Sequence, residues 1–222
     1  TTLLNEPFTS SLNGWSTNIG SGDQISASNT SSAGGTAYEA KIKGNSQVSN
    51  IIDRLYYGPI NTTAYSSLTF QWNNFMDWYS SSYAYSMAIQ TSSDGSTWHN
   101  TTWVTNPVTA DLGPGLQSIT ISTADVGSST FYIAFTISGL TFGMNYWYID
   151  NVLLQGVSSC TTPTASAASN ITASGATANW SGGTGSYIVE YGLSGFTPGT
   201  GASAGAAAQG PRGRRRQGHP PR

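Results

Sequence analysis

The sequence predicts an all-β fold, a two-sheet antiparallel jelly-roll sandwich followed by an incomplete second β-sandwich segment. Three observations carry this. Apolar and polar residues alternate in short runs through most of the chain, as half-buried strands require. Gly, Ser and Asn clusters separate those runs, and no stretch holds a 3.6-residue period for three turns. The composition also suits strands: 61 Ser and Thr, 26 Gly, and 26 aromatic residues among 222, with only 8% charged against about 25% in an ordinary soluble domain. No apolar run approaches the roughly 18 residues of a spanning helix, and the aromatic density argues against disorder through most of the chain.

Taken in order, Leu3 to Phe8 reads as a first strand, followed by a turn at Asn13-Gly14 with Trp15 as an apolar anchor. Ala37 to Ile42 alternates, which predicts an exposed Glu39 between Tyr38 and Ala40. Ser67 to Tyr79 alternates for a dozen residues, with Leu68, Phe70, Trp72, Met76 and Trp78 on one face. Tyr85 to Thr91 is the next strand, and Ser93-Asp94-Gly95-Ser96 reads as a hairpin turn. Ser118 to Ile121, Phe131 to Ile137 and Tyr146 to Leu154 complete a sandwich over residues 1–157. A linker at 158–164 leads to a partial β unit at 165–201, with strands at Ala168–Thr172, Ala176–Trp180 and Ser186–Gly192. Three strands with one Trp are too few to close a sandwich core.

The net charge of −2 averages two unlike pieces. Five of the eight basic residues fall in the last eleven positions, so residues 1–211 hold three cations against ten carboxylates, a net −7. Such a body is a poor nucleic-acid partner, because phosphate contacts need clustered cations. Residues 202–222 read as a disordered basic tail, or as residues read out of frame. Cys160 has no second thiol to pair with and no His nearby, which excludes an internal disulfide and argues against a catalytic thiol. Any signal peptide is expected upstream of Thr1, and the chain reads as a monomeric module from a longer secreted or cell-surface protein, with no membrane insertion.

Several pieces add a resemblance to this reading. They are Glu6-Pro7-Phe8 with Gly14-Trp15, Gly34-Gly35-Thr36-Ala37-Tyr38-Glu39-Ala40, Gly58-Pro59-Ile60-Asn61 leading into Leu68-Thr69-Phe70, Ser92 to Trp98, and Asn145 to Val152. In their order and spacing, residues 1–157 resemble the MAM-like jelly rolls of bacterial surface proteins, including choice-of-anchor domains and the cleaved-adhesin modules of secreted peptidases. Residues 160–201 resemble the start of a fibronectin type III repeat, with Cys160 and Pro163 at its entry and Trp180 and Tyr187 to Tyr191 on its strands. The resemblance implies an extracellular binding or spacing module rather than an enzyme.

Catalysis has little to work with. The chain has His99 and His219, and its three Glu (Glu6, Glu39, Glu190) form no Glu-x-Asp-x-x-Glu strand of the kind jelly-roll glucanases use. Ser93 to Trp98 resembles a sialidase Asp-box one residue short, which is a structural turn in any case. A metal is the better candidate. Ca²⁺ takes six to eight oxygens, two or three of them from carboxylates. First and last strands of a jelly roll lie side by side, so Glu6 and Asp150 can converge; related jelly rolls often hold a cation between such residues. Glu39 and Asp23 are further candidate ligands. The competing reading has Glu6 and Asp150 satisfied by backbone N–H groups, Lys41 or Arg54. For a glycan or protein-surface partner, Trp78, Tyr79 and Tyr83 around a Ser-rich tip, read as a hairpin, are the densest aromatic candidates, with Trp98 and Trp103 beside His99 and Asn100. The competing reading places these rings in the core. The overall expectation is a non-catalytic adhesion or glycan-binding module stabilised by calcium, or otherwise a structural accessory module of a larger secreted enzyme.

Overall fold

The computed structural model describes residues 1–20, 22–106, 108–158, 163–173, 175–182, 186–193, 195–197 and 199–207. The chain divides into two units, Thr1–Ser158 and Ser159–Arg222. The first unit contains β1 (Thr2–Glu6), β2 (Ser16–Asn18), β3 (Gln24–Ser28), β4 (Glu39–Lys43), β5 (Ile52–Ile60), β6 (Tyr65–Trp78), β7 (Tyr85–Ser92), β8 (His99–Thr105), β9 (Leu112–Ile121), β10 (Phe131–Gly139) and β11 (Met144–Ser158). Among the described residues the helical content is a single 3-10 turn at Thr141–Gly143.

Two antiparallel sheets result. One runs β3-β4-β11-β6-β9, with β1 also paired to β11; the other runs β2-β5-β10-β7-β8. The all-β sandwich expected from the alternation is therefore present. In β6 the inward positions Leu68, Phe70, Trp72, Asn74 and Met76 are all buried, as the period of two requires. From the facing sheet, Leu55, Met87, Ile89, Phe135 and Ile137 are buried against them. Phe135 is the hub: its ring lies 5.6 Å from Trp15, 5.6 Å from Phe70, 5.8 Å from Trp72 and 5.6 Å from Trp147. Burial contributes roughly 2–3 kcal/mol for each such side chain.

The run from Trp78 to Tyr85 is not a hairpin. β6 and β7 belong to different sheets, so this segment arches from one layer to the other. A strand that the sequence reading passed over, β5, forms the heart of the second sheet. Its alternation is masked by Asp53, which occupies an inward position, is fully buried, and accepts a 2.6 Å hydrogen bond from Gly20 N.

In the second unit, β12 (Thr164–Thr172) pairs with β13 (Gly175–Ser181), and β14 (Ser186–Tyr191) pairs with β15 (Ala202–Ala207). The expected disordered tail therefore begins too early. Residues 202–207 complete a ladder, because their Ala, Ser and Gly backbone can pair Tyr191 with Ala202 through to Ser186 with Ala207. Cys160 and residues 208–222 lie outside the described residues.

Candidate functional site

The acidic candidates divide. β11 is the shared neighbour of two strands placed end to end. β4 pairs with Trp147–Ile149, and β1 pairs with Val152–Gln155. Between them, at Asp150 and Asn151, β11 bulges: Asp150 faces Asn73 of β6, yet Leu153 faces Gln71. Asn151 takes φ 49°, the left-handed region that Asn tolerates. Glu6 ends β1 and Glu39 begins β4, so both carboxylates border this break in the ladder.

All three are buried. Asp150 and Glu39 are 0% exposed and Glu6 is 6% exposed. Glu6 Oε1 accepts from Phe8 N at 2.5 Å and Asn13 Nδ2 at 2.8 Å. The loop before β4 folds back over Glu39, and Ser32 N and Ala33 N each donate to it at 2.8 Å. That closure is why Glu39, expected outside by alternation, is inside. Asp150 Oδ1 accepts from Asn151 N at 2.7 Å, while its Oδ2 is buried with no hydrogen-bond partner. Burial pushes the Asp150 carboxyl up to about 6; the Asn151 N–H opposes this, and the negative charges of Glu39 and Glu6 reinforce it. No Lys or Arg among the described residues stands within 4.0 Å of any of the three, so neither Lys41 nor Arg54 neutralises them. Gly35, at φ +94°, lies over the same point, where a Cβ would come within 2.5 Å of Asp150 Oδ2 and against Asn151 Nδ2.

Asp23 is elsewhere. β3 pairs Ser28 with Glu39 and Gln24 with Lys43, which sets Asp23 at the far end of that ladder, about 15 Å from Glu39. There Oδ1 accepts from Asn45 N, Ser46 N and Thr141 Oγ1 at 2.7, 3.0 and 2.7 Å. Glu6, Glu39 and Asp150 share one electrostatic neighbourhood, but among the described residues no three His, Cys, Asp or Glu side chains already form a ligating cluster. A cation here would draw on Asp150 Oδ2 together with carbonyl and amide oxygens of the flanking loops. The partnerless buried oxygen and the uncompensated acidic charge fit a hard, oxygen-seeking ion such as Ca²⁺.

The aromatic candidates divide as well. Trp103 packs inward, 5.4 Å from Trp72 and stacked 5.9 Å from Trp147. Trp78 also packs against the core, with its Nε1 buried. Both are half-buried rather than displayed on a sheet surface. Tyr79 and Tyr83 flank Phe142 at 6.0 and 5.0 Å on the arch between sheets. Only Trp98 joins a larger outward group.

That group lies on the outer face of the β2-β5-β10-β7-β8 sheet. Cross-strand register places Arg54 opposite Thr136, Tyr56 opposite Ala134, Ala134 opposite Gln90, and Gln90 opposite Asn100. Trp98, on the β7–β8 hairpin, leans over this face. Its ring is 5.8 Å from Tyr56 and 6.4 Å from Tyr132, and those two rings are 6.5 Å apart. The Arg54 guanidinium carbon sits 5.0 Å from the Trp98 ring centre. Arg54 Nε donates to Gln90 Oε1 at 3.0 Å, Thr136 Oγ1 donates to the same oxygen at 3.2 Å, and Gln90 Nε2 donates to Asn100 Oδ1 at 2.8 Å. The hairpin is set by Asp94, whose Oδ1 accepts from Ser96 N and Thr97 N, both at 2.7 Å. Those bonds hold its carboxyl well below the usual range. Gly95, at φ +74°, leaves room for the Tyr132 ring. Small residues, Ala88, Ala134, Thr136, Ser86 and Ser138, floor the face beyond the rings. At its far end is a cavity of about 370 Å³ bordered by Ile52, Ser86 and Ser138.

Sequence reasoning missed Tyr56, Tyr132, Arg54 and Gln90. The signal was there in the alternation of Asp53-Arg54-Leu55-Tyr56 and of Phe131 to Ile137, where every second residue points away from the core. What the one-dimensional pattern lacks is which strands are neighbours.

His99 Nδ1 lies 3.0 Å from Asp125 Oδ2, and Thr91 Oγ1 donates to that same oxygen at 2.6 Å. In a hydrolytic triad the hydroxyl bonds the other ring nitrogen; here both partners converge on the carboxylate, which is a structural brace.

No protein-family model matches this sequence, and no curated protein does. Solved structures do. The K1 cleaved adhesin domain of Lys-gingipain from Porphyromonas gingivalis W83 is similar at TM-score 0.50 and 19% identity, covering 71% of this chain and 99% of that one. The K3 cleaved adhesin domain of the same protein gives TM-score 0.49 at 18% identity, over 70% of this chain and 100% of that one. The CBM27-1 module of Caldicellulosiruptor saccharolyticus, solved in complex with mannohexaose, gives 0.49 at 16%, over 70% and 98%. At these identities the likeness to the K1 domain is one of fold, a β-sandwich.

Proposed function

We propose that residues 1–157 form a non-catalytic, extracellular glycan-binding or adhesive module whose binding face is the outer surface of the β2-β5-β10-β7-β8 sheet. The observation that carries this reading is the cluster of Tyr56, Trp98 and Tyr132 beside Arg54, Gln90 and Asn100 on a floor of small residues. Half-buried aromatic rings with a few fixed polar groups are what a sugar, with apolar faces and a hydroxyl rim, requires. The resemblance to MAM-like and cleaved-adhesin jelly rolls supports the same reading, and the second unit is read as the start of a fibronectin type III repeat that extends it. Two of the similar structures bear names that speak of adhesion, and a third was solved with an oligosaccharide. Among the described residues no helix is long and apolar enough to cross a membrane.

In this proposal Ca²⁺ is a structural ion bound at Asp150 Oδ2 with carbonyl and amide oxygens of the flanking loops, and Glu6 and Glu39 add negative charge beside it. It would fasten the break between β1 and β4 on β11 by neutralising three buried carboxylates. Asp23 keeps its own loop in place and takes no part.

Affinity electrophoresis against soluble polysaccharides tests the binding face. Trp98→Ala and Tyr132→Ala should each weaken retardation by tenfold or more, whereas Tyr79→Ala should leave it unchanged. Wild-type protein that retards on no polysaccharide, or a Trp98→Ala variant that binds as the wild type does, refutes the assignment. For the ion, a chelator should lower the melting temperature of wild type but not of Asp150→Asn; an unchanged wild-type melt removes calcium from the proposal.

A further inference from the structure

We infer that the ligand of this face is an acidic sugar, a uronic acid residue of a polysaccharide, whose carboxylate docks on Arg54. The inference rests on the glycan-binding reading above and narrows it.

Arg54 is the one Lys or Arg in the five strands of this sheet, and one of three cations in residues 1–211. Of the other two, Lys41 lies on the opposite sheet, 5.3 Å from the Tyr146 ring centre, and Lys43 ends the same strand. In a body that carries a net −7, a lone arginine among rings packed edge to face is not there for solubility. Nor does it serve an ion pair: no carboxylate among the described residues is within 4.0 Å of it.

Its geometry is that of a prepared receptor. The cation–π contact with Trp98 and the bond from Nε to Gln90 together hold the guanidinium at two points. Gln90 is held in turn by Thr136 and Asn100. Of the five N–H hydrogens of the group, only the one on Nε has an acceptor among the described residues. The four on the two terminal nitrogens remain, and they form the edge that meets a planar carboxylate in two parallel hydrogen bonds. Burial works against the guanidinium charge and Asp53 only partly offsets it, so an incoming anion supplies the counter-charge the protein withholds. The acidic side chain on the same hairpin does not compete for it. Asp94 is turned into its own loop by Ser96 N, Thr97 N, Thr97 Oγ1 and Ser92 Oγ. A uronate ring presents both parts of the required surface, an apolar face for Trp98 and Tyr132 and a carboxylate at its edge for Arg54.

The test uses the whole chain at physiological ionic strength with polygalacturonate, alginate and hyaluronan, each beside its carboxyl-reduced counterpart, together with neutral galactan and mannan, and dextran sulfate. At least one uronate polymer should bind, and reduction of its carboxyl groups should weaken binding roughly ten- to a hundredfold, the range of a charge-assisted hydrogen-bonded pair. Arg54→Ala should lose at least the same factor on the acidic polymer and a clearly smaller one on the reduced polymer, where only its support of Trp98 and Gln90 is missing. Arg54→Lys, which keeps the charge without the fork, should recover only part. Equal binding of acidic and reduced polymers, binding of neutral polymers alone, or dextran sulfate bound as tightly as the uronates overturns this inference and leaves the glycan-binding reading standing. Failure to bind any polymer overturns both. The carboxyl-reduction arm needs only wild-type protein, so it decides the matter even if the Arg54 variants fold poorly.

Discussion

Asn74 is a polar residue at the centre of an aromatic core, and its removal should be felt far beyond its size. It is 1% exposed. Its Oδ1 accepts from Trp147 Nε1 at 2.7 Å and from Trp72 Nε1 at 3.3 Å, and its Nδ2 donates to the Leu112 carbonyl at 3.1 Å. Asn74→Ala leaves two indole N–H groups in the core without an acceptor. A buried orphan costs about 1–3 kcal/mol; the Trp147 bond is short and belongs near the top of that range, whereas the Trp72 bond is long and belongs near the bottom. The Leu112 carbonyl is partly exposed and can turn to water. The sum is about 4 kcal/mol, before any small cavity is counted. Urea unfolding followed by far-UV circular dichroism reads this as a midpoint lowered by roughly 2 M at an unchanged slope of about 2 kcal/mol/M. Trp147→Phe removes the stronger donor, so Asn74→Ala should cost at least about 1 kcal/mol less in that background. A loss under 1 kcal/mol in the wild-type background, or strict additivity of the two changes, refutes the assignment of Asn74 as the acceptor that both indoles need.

Two further predictions concern the acidic break in β11. In chelator, Asp150 should make stability fall as pH rises. Its native carboxyl titrates at about 6 against an unfolded value of 3.8, so the native state holds the extra proton between them, and about 3 kcal/mol present below pH 4 is lost on passing through pH 6. Melting curves from pH 4 to 8, referred to Asp150→Asn, check this; a wild-type protein that gains stability over that range contradicts it. Gly35→Ala should destabilise by about 2 kcal/mol or more, because a methyl group at φ +94° would press on Asp150 Oδ2 and Asn151 Nδ2. A thermal melt within a degree of wild type would mean the loop yields easily there.

The sandwich was readable from β6, β7 and β10 because period-two burial writes itself into the residue order. Glu6 and Asp150 were readable as a pair because first and last strands of a jelly roll are neighbours. Other features were not, for physical reasons that can be named. Glu39 sits at an outward-facing position that only a returning loop buries, and loops leave no periodic trace. Trp103 alternates as a surface residue does, yet it fills the space between Trp72 and Trp147 at the margin of the core. Tyr56, Trp98 and Tyr132 come from two strands and a hairpin separated by dozens of residues, and their meeting depends on the order β5-β10-β7-β8. Strand order is decided by packing of whole faces, so it was invisible to a reading that took each strand alone.

β11 is the last strand of the sandwich to be made, and it pairs with β1, β4 and β6, all of them earlier in the chain. Thr1 meets Gly156 across 155 positions. During synthesis the first 143 residues emerge with the middle of one sheet missing: β1, β4 and β6 have no common partner, and Glu6 and Glu39 have no Asp150 to oppose. The domain thus cannot close from its beginning forward. Such long-range pairing makes for slow folding, with β4 and β6 exposed as open edges until the final strand arrives. Closure of the acidic break is then the event that ends the wait, tying maturation of the domain to completion of its chain.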